Sequence, residues 1–260
     1  MPDQGKMKFT ILGSGTSSGI PTIGCKCHVC TSSDPKDKRL RTSLLVESET
    51  TTIVVDTSTD FRQQMLTNNV DKLDAVLFTH HHFDHIGGFD DIRAYNYQSH
   101  KPMQIYLTEE CHKRLRETFI YAFEIPEQIG GGVPMIDVNL ISKEKFTIGD
   151  IEIQPIRLMH GNMEILGFRF GNFAYCTDTN YIPPESIEQL KGVEVLILDA
   201  LRYQKHSTHF TISEAIEVSH EIGARQTYFT HMTHQILHSD CDPQLPDGIN
   251  LSYDGLVIEL

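Results

Sequence analysis

Positions 80–85 of the sequence carry four imidazoles and one carboxylate within six residues. They directly follow an apolar run at 73–78 that has the composition of a buried strand. Imidazole and carboxylate are ligands suited to zinc, manganese or iron, and neither group is normally left unpaired at the end of a buried strand. Just beyond, Gly87 and Gly88 permit a close approach of the backbone. The stretch therefore predicts the centre of a metal site.

The composition limits the partners that such a site would serve. The 260-residue chain has a formal net charge of −13, which argues against a surface that wraps long nucleic acid but is compatible with a small phosphorylated substrate. No apolar run approaches the roughly 20 residues that cross a bilayer, and the N-terminus lacks the apolar core of a secretory signal. We therefore expect a cytoplasmic protein with no membrane partner, in which the six cysteines are thiols or metal ligands.

Strand and helix patterns alternate along the chain and predict one α/β domain over residues 1–260. A first strand at 7–12 runs into a turn rich in glycine and serine, which we interpret as a tight turn beside a site. Apolar residues four apart predict a helix at 109–123, and a capping box begins a helix at 211–222. Another short helix is predicted at 60–68, and strands or hairpins at 42–46, 51–56, 73–78, 146–158, 168–177, 193–198, 226–230 and 251–260.

Several predicted strands end at a residue that can bind a metal. His80, His160, Asp178 and His231 each follow such a strand. Side chains at strand ends converge on one edge of a layered α/β fold. With Asp84 and His85 on the turn after the first strand, the set contains enough ligands for two metals. His81 would point the other way by strand alternation, so we do not count it as a ligand.

The pattern His80-x-His82-x-Asp84-His85, followed by His160, Asp178 and His231, resembles the motif set of the metallo-β-lactamase superfamily. The resemblance implies an α/β fold of the αββα sandwich type, with two mixed sheets flanked by helices and a site for two metals between them. It assigns His80, His82 and His160 to one metal, assigns Asp84, His85 and His231 to the other, and makes Asp178 the bridge. Asp84 would also orient or deprotonate the attacking water.

A second cluster, Cys25-x-Cys27-x-x-Cys30, is typical of a structural zinc site that needs a fourth ligand. His28 is crowded among the thiolates, and His234 fits better. The PhnP-like phosphodiesterase branch of the same superfamily pairs such a cysteine trio with such a histidine. The whole chain resembles that branch, which implies a zinc-binding loop inserted around residues 20–40.

The segment from Lys205 to Thr211 contains two histidines ahead of the capped helix. By its distance before His231, His209 looks like the general acid of the branch, which protonates the leaving oxygen. His206 is the alternative for this role, and a capping or solvent-exposed histidine is the simpler structural explanation for either. The predicted catalytic residues are therefore Asp84 and His209.

Together these features predict a hydrolase with a binuclear metal site that cleaves a small phosphate ester, linear or cyclic. The branch resemblance implies phosphoribosyl 1,2-cyclic phosphate as the reference substrate. Nuclease activity on tRNA or DNA, β-lactam or thioester hydrolysis, and a metal-binding role without catalysis are the alternatives. The ligands do not rank manganese, zinc and iron for the active site. Relatives commonly form homodimers, but the residues themselves provide no argument for one.

Overall fold

The computed structural model describes residues 5–124 and 132–260. The strands in this part of the chain are β1 (Lys8–Gly13), β2 (Ser43–Glu47), β3 (Thr52–Val55), β4 (Ala75–Leu77), β5 (Met103–Leu107), β6 (Ile136–Leu140), β7 (Phe146–Ile148), β8 (Ile151–His160), β9 (Met163–Phe170), β10 (Phe173–Cys176), β11 (Val195–Asp199), β12 (Gln226–Thr230), β13 (Ile249–Leu251) and β14 (Val257–Glu259).

The α-helices are short, and most connect strands. They are α1 (His28–Thr31), α2 (Phe61–Thr67), α3 (Phe83–Ile86), α4 (Arg93–Ser99), α5 (Glu109–Thr118), α6 (Ile120–Phe123), α7 (Pro184–Leu190), α8 (Ile212–Ile222) and α9 (His238–Cys241). Helix α8 begins with the predicted capping box, in which Thr211 and Glu214 each bond to the backbone of the other. None of the helices described here is both long enough and apolar enough to span a membrane.

Two mixed sheets of seven strands form the middle layers of the molecule. Their strand orders are β14-β1-β2-β3-β4-β5-β6 and β13-β12-β11-β10-β9-β8-β7. Within each sheet, the strands pair in parallel from β3 to β6 and from β10 to β13, and in antiparallel elsewhere. Helices pack on both outer faces. This confirms the predicted αββα sandwich.

Strand β11 illustrates why the sequence produces two buried layers. Its Val195 and Ile197 join the core between the sheets, whereas Leu196 and Leu198 join the core beneath the outer helices. Successive side chains of a strand point to opposite faces, so a strand covered on both sides is apolar at every position. The ends of such strands are the first places where polar side chains are tolerated, and the site lies there.

Two predicted elements differ from the structure. The helix predicted at 109–123 is interrupted at Phe119, whose φ of −117° and ψ of 47° are not helical. Phe119 remains buried against Phe89, so packing of its ring outweighs the continuous helical pattern. The range predicted as a strand or hairpin at 251–260 does contain a strand, β14, but not a hairpin. Because β13 belongs to one sheet and β14 to the other, the segment between them crosses from one sheet to the other. Asp254 anchors this crossover by accepting hydrogen bonds from Ser14 and Leu40.

Candidate active site

The predicted ligands lie where strands of the two sheets end. His80 and His82 follow β4, Asp84 and His85 belong to helix α3, and His160 is the last residue of β8. Two further ligands follow β10 and β12, at Asp178 and His231. The structure therefore brings together seven residues that are spread over about 150 positions of the sequence.

The seven residues form two groups whose candidate ligand atoms lie within 4.8 Å of one another: His80, His82 and His160 in one, and Asp84, His85, Asp178 and His231 in the other. Asp178 lies where the groups meet. Its Oδ2 is 3.2 Å from Nε2 of His85 and 3.8 Å from Nε2 of His80, and its Oδ1 is 3.2 Å from Nε2 of His231. Each group has the number and type of ligands that hold a divalent cation.

Hydrogen bonds to the far side of the rings fix which nitrogen faces the site. The hydroxyl of Thr79 donates to Asp56, so Thr79 Oγ1 is left to accept from Nδ1 of His80 at 2.9 Å. Nδ1 of His85 donates to the same carboxylate at 2.7 Å, and Nδ1 of His160 donates to a backbone carbonyl. In the neutral form of each of these three rings, Nε2 keeps its lone pair toward the site, as metal-binding histidines require.

The unpaired atoms of these residues test whether cations fit. Within residues 5–124 and 132–260, the buried Nε2 atoms of His80, His85 and His231 make no hydrogen bond. Two of them are only 3.2 Å from Asp178 oxygens, but the contacts lack hydrogen-bond alignment. Buried polar atoms without partners are rare and costly. Lone pairs that converge in this way fit a pair of bound cations.

The pKa values of His80, His160 and Asp178 agree with this fit. Burial lowers the pKa of His80 well below the ordinary imidazole value, and lowers that of His160 to about 4. Burial alone would raise the pKa of Asp178, but His231 and His85 hold it well below its usual range. Neutral imidazoles and ionised carboxylates are the forms that bind divalent cations. Burial alone would lower the pKa of His85, but the carboxylates around it, led by Asp178, raise it well above the ordinary value, so a cation bound there would replace the proton on its Nε2.

The backbone at the site is strained. Asp56, Asp178 and His231 have φ values of 65°, 56° and 60°, in the left-handed region that non-glycine residues seldom adopt. Each residue directly follows a strand or lies two positions beyond one. Such conformations cost on the order of 1–3 kcal/mol each and persist only where the surrounding structure holds them. Their concentration at these three strand ends is typical of a functional site.

His209 lies beside both groups. Its ring centroid is 4.7 Å from that of His160 and 4.8 Å from that of His231. Its Nδ1 donates to the buried carboxylate of Asp199 at 3.2 Å, which leaves Nε2 for the site. Burial alone would lower the pKa of His209, but Asp199 raises it above the ordinary value. His206 lies next to His209, with its ring centroid 5.1 Å from that of His209.

The cysteine trio also has a partner in the structure. Nδ1 of His234 lies 3.3, 3.7 and 3.5 Å from the sulfur atoms of Cys25, Cys27 and Cys30. These four residues form a further group with metal-ligand spacing. His28, the crowded alternative, is not part of this group.

Sequence reasoning missed two carboxylates that support the site. Asp56 follows β3 and holds Thr79 and His85, while Asp199 ends β11 and holds His209. Both acids end a predicted strand, as Asp178 does, so the same signal could have identified them. His81 lies outside both groups, and Arg114 and Glu110 of α5 are among the charges that act on it.

A comparison with known families agrees with this geometry. The family model described as "Beta-lactamase superfamily domain" matches residues 51–232, so the chain belongs to this superfamily. A solved structure described as a new diphosphatase from the PhnP family has 39% sequence identity and a TM-score of 0.92, covering 98% of this chain and 97% of that chain. The predicted PhnP-like branch of the metallo-β-lactamase superfamily is therefore confirmed.

Two other relatives are similar over most of this chain but carry less information about its activity. Human tRNase Z, short form, is 16% identical with a TM-score of 0.70, covering 96% of this chain and 98% of that chain, which shows a shared fold alone. An octanoyltransferase of Porphyromonas gingivalis is 40% identical over 254 residues, covering 96% of this chain and 51% of that protein. The chain thus spans about half the length of this curated relative.

Proposed function

We propose that this chain hydrolyses a small phosphoric diester or diphosphate with the help of two divalent cations. One cation would be held by His80, His82 and His160, the other by Asp84, His85 and His231, and Asp178 would face both. The observation that carries the proposal is the position of Asp178, whose two oxygens lie between imidazoles of the two groups.

The bound cations would acidify a water between them and stabilise the negative charge that develops on the phosphoryl oxygens. Asp84 would orient that water, because its Oδ2 lies 3.4 Å from Nε2 of His85 and its side chain is partly exposed at the rim of the site. Asp56 and Thr79 would keep the lone pairs of His80 and His85 pointing inward.

His209 would donate a proton from Nε2 to the leaving oxygen. Its Nδ1 donates to Asp199, so the proton that it can transfer is on Nε2, which faces the two metal groups. His206 is less suited to this role, because its Nδ1 accepts from the backbone of Thr208 and no carboxylate is among its hydrogen-bond partners in the described residues. A general acid of this kind contributes about 10²- to 10⁴-fold to the rate.

The substrate we propose is a small molecule that contains a P–O–C or P–O–P bond. The diphosphatase activity in the description of the PhnP-family structure favours a phosphoric anhydride, and the branch resemblance favours a cyclic diester such as phosphoribosyl 1,2-cyclic phosphate. Both reactions need in-line attack on phosphorus, and the diester also needs protonation of its leaving alkoxide, so one site can serve either. The net charge of −13 counts against long nucleic acid as the substrate.

A second candidate is hydrolysis of an acyl ester or thioester, which the name of the octanoyltransferase relative suggests. Half of that protein lies outside the matched region, so its name does not favour acyl chemistry for this chain in particular. The same cations could polarise an acyl carbonyl, and an octanoyl thioester is therefore one of the substrates to be tested.

A structural zinc ion, bound by Cys25, Cys27, Cys30 and His234, would lie in a loop inserted into a single domain. Thiolate ligands select zinc at such a site, whereas the mixed histidine and carboxylate set of the active site accepts manganese, zinc or iron. Metal analysis of the purified protein, with and without Cys27→Ser, tests this assignment. Loss of one zinc per chain is expected, and an unchanged zinc content would refute it.

The function is tested with a substrate panel in the presence of Mn²⁺ or Zn²⁺. The panel contains bis-p-nitrophenyl phosphate, a cyclic nucleotide, phosphoribosyl 1,2-cyclic phosphate, a dinucleoside diphosphate and an octanoyl thioester. His82→Ala should abolish turnover, whereas the neighbouring His81→Ala is the matched control and should retain it, because only the first residue belongs to a metal group. Turnover of the thioester alone would overturn the phosphoryl assignment, and failure of metals to stimulate any reaction would overturn the hydrolase itself.

A further inference from the structure

Arg39 is the largest fully buried side chain in the part of the chain that the structure describes, with 1% of its surface exposed. It lies in the loop between β1 and β2 that also carries the cysteine trio. Its Nη1 donates to the backbone carbonyls of Ile236, at 2.9 Å, and Thr233, at 3.3 Å. Its Nε donates to the carbonyl of Lys36 at 3.1 Å. A single guanidinium thus joins this loop to a segment near the other end of the chain.

That later segment, residues 231–238, supplies one residue to each metal group. His231 belongs to the active site and His234 belongs to the cysteine group. The two carbonyls bound by Arg39, those of Thr233 and Ile236, lie on either side of His234. Any movement of this backbone would therefore displace ligands of both groups together.

The same segment is held at both of its ends. The amide of Met232 donates to the carbonyl of Ser14, and the amide of Thr16 donates back to the carbonyl of Met232. At the other end, the amide of His238 donates to Asp37 Oδ1 at 2.9 Å. His231 has a left-handed backbone that persists only where neighbours hold it. Between the two anchored ends, Arg39 provides the connection that also reaches the cysteine loop.

Burying the ion pair of Arg39 and Asp37 costs desolvation free energy. Nη2 donates to Asp37 Oδ1 at 3.1 Å, and both side chains are fully shielded from water. The second oxygen of Asp37, Oδ2, makes no hydrogen bond within the described residues. Replacing such a pair by apolar residues is often neutral or stabilising, so stability alone gives little reason for it. The need to hold the backbone of residues 231–238 in place does provide a reason for burying this pair.

We propose that Arg39 is a positioning residue that couples the cysteine group to the active-site ligand His231 through the 231–238 segment. This inference rests on the proposed function, because it assumes that the cysteine group and the active-site residues each bind metal. Metal at the cysteine group would hold His234, Arg39 would hold the backbone on either side of it, and His231 would thereby be held in its strained conformation.

The test compares Arg39→Met combined with Asp37→Asn, which removes both buried charges but keeps an Oδ1 that can accept from the His238 amide, with Arg169→Met as the matched control. Arg169 also donates to backbone carbonyls, at Gly171 and Lys191, but it does so away from the metal groups. Each protein is titrated with Co²⁺, because thiolate-bound cobalt absorbs by charge transfer while cobalt held by histidine and carboxylate does not. The double variant should bind active-site Co²⁺ about 10- to 100-fold more weakly. This is the typical effect of changing a residue that supports a metal ligand without binding the metal itself. Unchanged affinity in a folded double variant would overturn the proposal.

Arg39→Lys provides a second measurement if the double variant does not fold. Lysine retains the charge opposite Asp37 but lacks the planar fork that reaches several acceptors, so active-site affinity should still fall. Wild-type affinity in Arg39→Lys would overturn the proposal. Because a Co²⁺ titration needs no turnover, an inactive parent protein would count against the hydrolase alone.

A mutant cycle separates coupling from a general loss of structure. Cys27→Ser weakens the cysteine group, and coupling predicts that it also lowers the active-site affinity for Co²⁺ in the parent protein. In the Arg39→Met and Asp37→Asn background, the same change should lower active-site affinity by a smaller factor, because the connection through Arg39 has already been removed. Equal factors in both backgrounds would mean that Arg39 does not mediate the coupling and would overturn the proposal, and unchanged active-site affinity in Cys27→Ser would mean that the two groups act independently.

Discussion

Asp199 and His209 form a buried pair in which the carboxylate accepts a hydrogen bond from Nδ1 at 3.2 Å. Asp199 Oδ2 also accepts from the backbone amide of Phe210 at 3.1 Å, so the carboxylate is itself held in place. The arrangement fixes the ring of His209 and its tautomer without placing Asp199 among the seven residues of the two metal groups. Asp199, His209 and His231 nevertheless have ligand atoms within 4.8 Å of one another, so a change at Asp199 distinguishes proton transfer from metal binding only when the metal content is measured as well.

Replacing Asp199 by Asn should lower kcat by about 10²- to 10⁴-fold, because the amide favours the wrong tautomer of His209. Metal content should stay at the parental value. Activity is measured with an unactivated phosphodiester, and metals by elemental analysis of the same samples. A parallel loss of metal and activity would contradict a role in proton transfer and would make Asp199 a support for His231, whose Nδ1 is 3.8 Å away.

The leaving group provides a separate test of His209. A p-nitrophenolate leaves without a proton, whereas an alkoxide must be protonated as it departs. His209→Ala should therefore cost about 10²- to 10⁴-fold in kcat with an alkyl diester and less than about tenfold with bis-p-nitrophenyl phosphate. His206→Ala, made in parallel, should not discriminate between the two substrates. The reverse pattern would assign the general acid to His206.

Much of the site is predictable because its ligands carry local signals. His80, His82, Asp84 and His85 occupy one short stretch, and His160, Asp178 and His231 each follow an apolar strand. The topology of the sheets then converts strand ends into neighbours. The predicted bounds of the buried strands lie within a few residues of the observed ones for a similar reason, since a strand such as β11 is a continuous apolar run between polar ends.

The remaining features depend on contacts between distant positions. Arg39 binds carbonyls 194 and 197 positions later, and nothing around it in the sequence distinguishes it from a surface arginine. The crossover between β13 and β14 is set by Asp254, whose partner Ser14 is 240 positions earlier. The helix break at Phe119 results from ring packing against Phe89, which outweighs a regular four-residue pattern. Local periodicity contains no information about such pairings.

Asp56 should affect the affinity for metal more than the rate of the chemical step. It accepts hydrogen bonds from His85, from the Thr79 amide and from the Thr79 hydroxyl, and is itself completely buried. Asp56→Asn should weaken metal binding by about 10- to 100-fold, with most of kcat restored at saturating metal. Asp74→Asn is the matched control, because Asp74 caps the opposite end of the same strand pair through the Thr52 amide. Equal effects of the two variants would contradict this role.

Asp254 makes stability depend on pH. Burial raises its pKa from 3.8 to about 6, although hydrogen bonds from Leu40 and Ser14 and the charge of Arg39 lower it. A carboxyl group whose pKa is higher in the folded state than in the unfolded state stabilises the fold most when it is protonated. Its contribution of about 3 kcal/mol is therefore fully present well below the unfolded pKa of about 4 and is lost as the pH rises through the folded pKa of about 6.

Asp254→Asn has no such titration, since an amide stays neutral over the whole range. Between about pH 3 and about pH 7, the free energy of unfolding of the parent protein should fall relative to that of Asp254→Asn by about 3 kcal/mol. Urea unfolding followed by circular dichroism, at closely spaced pH values, measures this difference. Ionisation of the metal ligands affects both proteins equally and cancels in the comparison. Parallel curves would mean that Asp254 is ionised throughout the range and that its hydrogen bonds from Leu40 and Ser14 outweigh its burial.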